Sequence, residues 1–293
     1  MGVARKHHSY PAVRILTLRT KPAPRVDAME ILHKTQWQRE QLVDLKKKLD
    51  QGMKVNAMRQ KPFVHSPHYQ DREWPMQAYA ASIRNEALLD MLLAHGAEVD
   101  ARAIGGPTAL EVAAAQGSWI MVHALLDSKA DVKKSPLALP DACKKGFVEI
   151  ARLLLKAGAD PNARYAELPL ETAIARNDLD LLDVLLRFRA DVNGTSNKAS
   201  KPMLTLAWGK RAIVERLLSE MALDVNAATG SGTTALHLAA RDGDLDMVRR
   251  LLDRGATVNS RSNSGTPLDF AVSSGHDDVV RLLKSRGGES GAK

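Results

Sequence analysis

The chain is short of the residues that most chemistries and compartments require. One cysteine, Cys143, stands among 293 residues, so no disulfide framework can form within the chain. It sits where sister segments carry alanine and reads as a small core residue in a reducing compartment. No apolar run approaches the roughly 18 residues of a membrane span. The N-terminus lacks the apolar core of a secretory signal. There is no Gly-rich phosphate loop ending in Lys-Ser/Thr, no His-Glu-x-x-His and no Gly-x-Ser-x-Gly, and Gly230-Ser231-Gly232 reads as a turn before a helix. His65 and His68, with Asp71 and Glu73 nearby, complete no zinc ligand set. The expectation is a chain without catalytic residues, metal or cofactor: not an enzyme.

Acidic residues are absent from residues 1–26, which hold Arg5, Lys6, Arg14, Arg19, Lys21 and Arg25. That segment carries +6 of the net +8, and the rest of the chain balances 36 basic against 34 acidic side chains. The charge is therefore a tail rather than a grooved basic surface, which disfavours nucleic acid as the main partner. With Pro11, Pro22 and Pro24, residues 1–26 read as a disordered basic arm. A mitochondrial presequence and a contact with nucleic acid or anionic lipid are the alternatives.

What is present is repetition. Thr234, Leu236 and Gly243 recur 32 residues later as Thr266, Leu268 and Gly275. The marker pairs Val55-Asn56, Val99-Asp100, Val132-Lys133, Pro161-Asn162, Val192-Asn193, Val225-Asn226 and Val258-Asn259 are spaced by 44, 33, 29, 31, 33 and 33 residues. Leucine pairs precede most of them, from Leu92-Leu93 to Leu217-Leu218. A period near 33 with these words resembles the ankyrin repeat over residues 27–288. The resemblance implies an all-α solenoid of about eight stacked helix-turn-helix units with short fingertip hairpins. The outermost units would act as caps, with a disordered C-terminus over 289–293.

The letters have physical work to do. Threonine at the start of a first helix can cap its free N–H groups, and Pro267 sits where a missing N–H costs nothing. Alanine pairs such as Ala113-Ala114 and Ala239-Ala240 let neighbouring helices approach. Gly117, Gly146, Gly243 and Gly275, with Asn177 in one repeat, fall where a left-handed residue ends the first helix. The resemblance gives His237 a backbone bond across the turn, not a catalytic task. Lys129, Arg189 and Ala222 replace the glycine of other repeats, at a cost on the order of 1 kcal/mol for a forced positive φ. Irregular or shifted turns are expected there, together with one shortened inter-helix turn within 202–222.

The resemblance implies a protein-binding adaptor or scaffold that uses its concave face and fingertip edge. The alternatives are a regulatory or targeting subunit of an enzyme that is supplied in trans, and a nucleic-acid-associated regulator using the basic tail. Four of the twelve aromatics, Phe63, Tyr69, Trp74 and Tyr79, crowd into 17 residues around an inserted loop at 58–73. Exposed rings there would anchor a partner, and inward rings would cover the edge of the stack. The tips keep a basic residue without the neighbouring Asp that is common in the family: Arg59, Arg102, Lys133, Lys134, Arg164, Lys198 and Arg261. A row of such cations favours an acidic or phosphorylated protein partner. Asn193 and Asn226 lie in Leu-Asp-Val-Asn patterns resembling those hydroxylated in ankyrin proteins. The chain is expected to be monomeric and intracellular, cytoplasmic or nuclear, with a mitochondrial location as the alternative from its N-terminus.

Overall fold

A computed structural model describes residues 41–57, 59–60, 74–102, 106–196 and 200–291. The chain divides into two units, Met1–Gln51 and Gly52–Lys293. The described part of the first is helix α1, over 41–50. The 1–26 tail lies outside the described residues, as does the inserted loop but for the backbone of Arg59–Gln60.

In the second unit a 3-10 turn, Val55–Ala57, precedes a two-stranded antiparallel ribbon, β1 (Arg59–Gln60) against β2 (Trp74–Pro75). Seven helix pairs follow among the described residues. They are α2 (Met76–Ser82) with α3 (Glu86–Ala94), α4 (Ala109–Ala115) with α5 (Trp119–Asp127), and α6 (Ala138–Lys145) with α7 (Val148–Lys156). Next come α8 (Pro169–Arg176) with α9 (Leu179–Arg187), and α10 (Met203–Leu206) with α11 (Arg211–Leu218). The last are α12 (Ala235–Asp242) with α13 (Leu245–Asp253), and α14 (Pro267–Ser273) with α15 (Asp277–Ser285). First helices stack on first helices and second on second, as α2–α4–α6–α8 and α3–α5–α7–α9 show. This is the all-α repeat stack implied by the spacing of the markers.

The small and large residues divide the packing. Ala113, Ala114, Ala239 and Ala240 are fully buried between first helices, while Leu92, Leu125, Leu154, Leu185, Leu217 and Leu251 fill the space between the two helix layers. Cys143 is buried too, and burial pushes its thiol up to about 12, so it packs as a hydrophobe. Thr108, Thr234 and Thr266 cap α4, α12 and α14, and Pro267 takes the first position of α14.

The turns correct part of the expectation. Gly117 takes φ 73°, and the Phe147 ring of the next pair stands 2.6 Å from where a Cβ would be. Asn177 holds the same left-handed place at φ 56°. Lys129 and Arg189, expected to force irregular turns, keep the regular one at φ 66° and 64°. Lys129 N–H donates to Leu126 O at 3.0 Å and Ala130 N–H to Leu125 O at 2.9 Å, matching Gly255 and Ala256. Burial of the adjoining helices outweighs a strain of about 1 kcal/mol. Only the turn at Ala222 is rerouted: α11 ends at Leu218 without a left-handed residue, and Arg254 donates to the carbonyls of Leu218 and Glu220. Within 202–222, α10 shrinks to four residues before a turn at Gly209.

Residues 289–291 are also ordered, against expectation. Asn259 accepts from Glu289 N–H, Ser290 donates to Asp269 at 2.6 Å, and Gly291 N–H donates to Asp269 at 2.8 Å. Partial burial raises the Asp269 carboxyl, but donors from Ser290, Thr266 and Gly291 outweigh it and hold the group at about 2.

Candidate functional site

Each first helix is preceded by a tip, named here for the helix it enters. The marker asparagines build these tips into a ladder. Asn162 Oδ1 accepts Asp191 N–H at 2.7 Å, and its Nδ2 donates to Arg189 O at 3.4 Å. Asn193 does the same to Asp224 N–H at 2.8 Å and Ala222 O at 2.7 Å. Asn226 joins Thr257 N–H at 2.7 Å and Gly255 O at 3.0 Å, and Asn259 joins Glu289 N–H at 2.8 Å and Gly287 O at 2.9 Å. Asn56 reaches Glu98 N–H at 2.8 Å and Gly96 O at 3.3 Å. One carboxamide thus satisfies a donor and an acceptor of the next tip, because it carries both an accepting oxygen and a donating NH2. Asn193 and Asn226, the hydroxylation candidates, are both held in this way.

Two markers differ. Asp100 Oδ1 accepts Asp131 N–H at 3.0 Å, with Lys134 Nζ 3.6 Å from its other oxygen. A carboxylate cannot donate, so the second bond is absent. Lys133 can accept nothing, and its ammonium has no hydrogen bond or ion pair among the described residues. It is exposed at the α6 tip.

The tip cations differ in burial and in what they hold. Arg102 donates to Gly106 O at 3.1 Å, Lys134 O at 2.8 Å and Glu111 Oε1 at 2.8 Å. Glu111 is 2% exposed and also receives Thr108 N–H at 2.9 Å, so Arg102 neutralises a buried carboxylate. Its charge is spent inside the fold. Lys133 and Lys134 are exposed, Lys134 at 61%, and so are Arg164 and Arg261. Tyr165, beside Arg164, is 69% exposed. Trp74 is 2% exposed and Tyr79 is buried as well, so both rings cover the start of the stack instead of projecting. Phe63, Tyr69, Lys198 and the Arg59 side chain lie outside the described residues.

His237 behaves as the resemblance implied. Its Nε2 bonds Gly265 O at 3.1 Å across to the α14 tip, while Nδ1 accepts Thr234 N–H at 3.1 Å. Burial lowers its pKa, outweighing the backbone bonds, and keeps it a neutral clamp. Nothing in this arrangement resembles a nucleophile–base pair.

At the opposite edge, where paired helices turn, the sequence showed the glycines of the turns but not the side chains around them. Side chains from a neighbouring pair cap the ends of first helices there: Arg176 donates to Lys144 O at 3.0 Å, and Lys210 to Ala175 O at 2.9 Å. Trp119 and Ile120 are exposed on this edge, and Leu179 is its counterpart two pairs on. A cavity of about 130 Å³ lies beside Trp208, Val214, Met247, Asp242 and Asp244, and Trp208 Nε1 donates to Asp242 at 2.8 Å. Among the described residues no group of three His, Cys, Asp or Glu side chains could hold a metal ion. No helix among them is long and apolar enough to cross a membrane.

The family described as "Ankyrin repeats (3 copies)" matches residues 77–165 and 202–293, more than half of the chain. The putative ankyrin repeat protein FPV031 of fowlpox virus is 32% identical over 156 residues, 49% of this chain and 46% of that one. The ankyrin repeat and KH domain-containing protein mask-1 of Caenorhabditis elegans is 30% identical over 215 residues, 69% of this chain and 8% of that one. Potassium channel AKT1 of Oryza sativa subsp. indica is 45% identical over 64 residues, 22% of this chain and 7% of the channel. The chain spans less than half the length of each of these relatives. Ankyrin repeats generally mediate protein–protein interaction, and the family is typically non-catalytic. Its helix pairs, capped first helices and tip ladder agree with the sequence match, and the chain belongs to the ankyrin-repeat family.

Proposed function

We propose that this chain is a non-catalytic adaptor that binds an acidic protein partner along its fingertip edge, with the first helices as the adjoining surface. The observation that carries the reading is the row of exposed tip cations, with Lys133 making no ion pair among the described residues. A rigid stack presents those charges without ordering a loop first, which avoids part of the entropy cost of binding. Cations on such an edge steer encounter and make it salt-dependent. Arg102 is no part of the contact, because it holds Glu111.

The test compares the native chain with a Lys133→Glu, Lys134→Glu, Arg261→Glu variant. Partners captured from cell extract by the native chain are purified, and association is measured at low and high salt. Slower association by the variant at low salt, with circular dichroism unchanged, is the expected result. Unchanged association kinetics would show that the cations are a solvated edge and that recognition lies elsewhere.

A further inference from the structure

The ladder is interrupted at one joint, between the α6 tip and the α8 tip, and the interruption has defined chemistry. At the other joints the marker side chain accepts one N–H of the next tip: Glu98, Asp131, Asp191, Asp224, Thr257 or Glu289. The equivalent group at the interrupted joint is Asp160 N–H, and the equivalent of the accepting carbonyl is Gly158 O. Neither has a partner among the described residues, and both residues are exposed. The marker residue there is Lys133, which brings a cation where an acceptor stands elsewhere.

The neighbouring joint shows what fits such a pair of groups. At Asp100 the acceptor is a carboxylate: one oxygen takes the Asp131 N–H at 3.0 Å, and a lysine ammonium lies 3.6 Å from the other. The tip carboxylate of Asp131 does not prevent this, because it turns onto its own loop and accepts Lys133 N–H at 2.9 Å. Asp160 is disposed alike, accepting Asn162 N–H at 2.8 Å, with its own N–H unpartnered among the described residues. A carboxylate bound to one N–H and one ammonium gains a charge-assisted hydrogen bond and an ion pair together.

We propose that the α6–α8 tip joint receives a carboxylate from the protein partner, an Asp or Glu side chain that accepts Asp160 N–H and pairs with Lys133. The proposal rests on the fingertip reading above and narrows it to one joint and one functional group. Tyr165 on the same tip offers an exposed ring for the residues flanking that carboxylate. Replacing Lys133 by Asn would close the site, since a carboxamide there would take both Asp160 N–H and Gly158 O.

The probe is an amidated hexaglutamate peptide titrated into the full-length, nitrogen-15-labelled chain, with hexaglutamine amide as the control. The expected result is a saturable downfield shift of the Asp160 amide proton with hexaglutamate alone, weakened by added salt. Lys133→Asn should abolish it while the remaining spectrum is retained. Lys133→Met, which removes the charge and leaves the N–H open, should weaken binding several-fold. An Asp160 shift that persists in Lys133→Asn overturns the proposal. So does a titration that moves tip amides around Arg261 and leaves Asp160 still, although the fingertip reading would then stand. If hexaglutamate moves no tip amide, both fall.

Discussion

Two joints of the same stack are built from the same marker and end in opposite states. Between the α12 and α14 tips, Asn226 bridges to Thr257 and Gly255, His237 bridges to Gly265, and Asn263 N–H donates to Ser231 O at 2.9 Å. Between the α6 and α8 tips, Lys133 replaces the asparagine and Pro140, which has no polar side-chain atom, stands where His237 would, so neither clamp can form. Buried helices hold both joints together, since Leu154 and Leu185 are as inaccessible as Leu251 and Leu283. The difference lies in the rim alone. At the α6–α8 joint the marker position holds a cation where a carboxamide stands elsewhere, and the N–H that it would meet has no partner among the described residues. Repeat arrays can acquire binding chemistry in this way without disturbing the core, because each joint contributes separately to stability.

The comparison can be broken hardest at Arg102. Arg102→Ala leaves the Glu111 carboxylate buried without its cation and should cost about 2 kcal/mol in equilibrium unfolding, the partial exposure of Arg102 keeping it from more. If Arg102 were an ordinary tip cation, the loss would be negligible. Next, Asn226→Ala removes two bonds from the satisfied rim and should cost about 1 kcal/mol, whereas Lys133→Ala should leave stability unchanged. Equal losses from the two variants would erase the distinction between the joints. The smallest effect belongs to the turns. Lys129→Gly and Arg189→Gly should each stabilise by roughly 0.5 kcal/mol, the relief of left-handed strain less the entropy that glycine loses on folding. Thermal unfolding with no gain in either would mean that the long side chains supply compensating packing.

How far the sequence could be read follows the same division. Leucine pairs, alanine pairs and the threonine caps depend on spacing along one helix or one turn, so the fold was visible in the order of residues. The ladder was half visible. The Val-Asn markers stood out, but the bonds run to the next tip some 27 to 31 residues on in the regular repeats. Arg102 was misread as an open cation because its partner, Glu111, occupies the helix position that His237 holds elsewhere, and burial of that position is a tertiary fact. Trp74 was left between two readings for the same reason: an aromatic before a helix projects or folds inward according to what lies under it. Lys129 and Arg189 show the converse. Local preference forecast a deformed turn, and stacking imposed the regular one.

The claim that the α6–α8 joint lacks only its marker carboxamide is tested most directly by equilibrium urea unfolding of Lys133→Asn against the native chain. The introduced amide should accept Asp160 N–H and donate to Gly158 O, raising the unfolding free energy by about 1 kcal/mol with the denaturant slope unchanged. An unchanged or lowered unfolding free energy would contradict the account, because the groups at that joint would then not be arranged to receive the bridge that the other tips share.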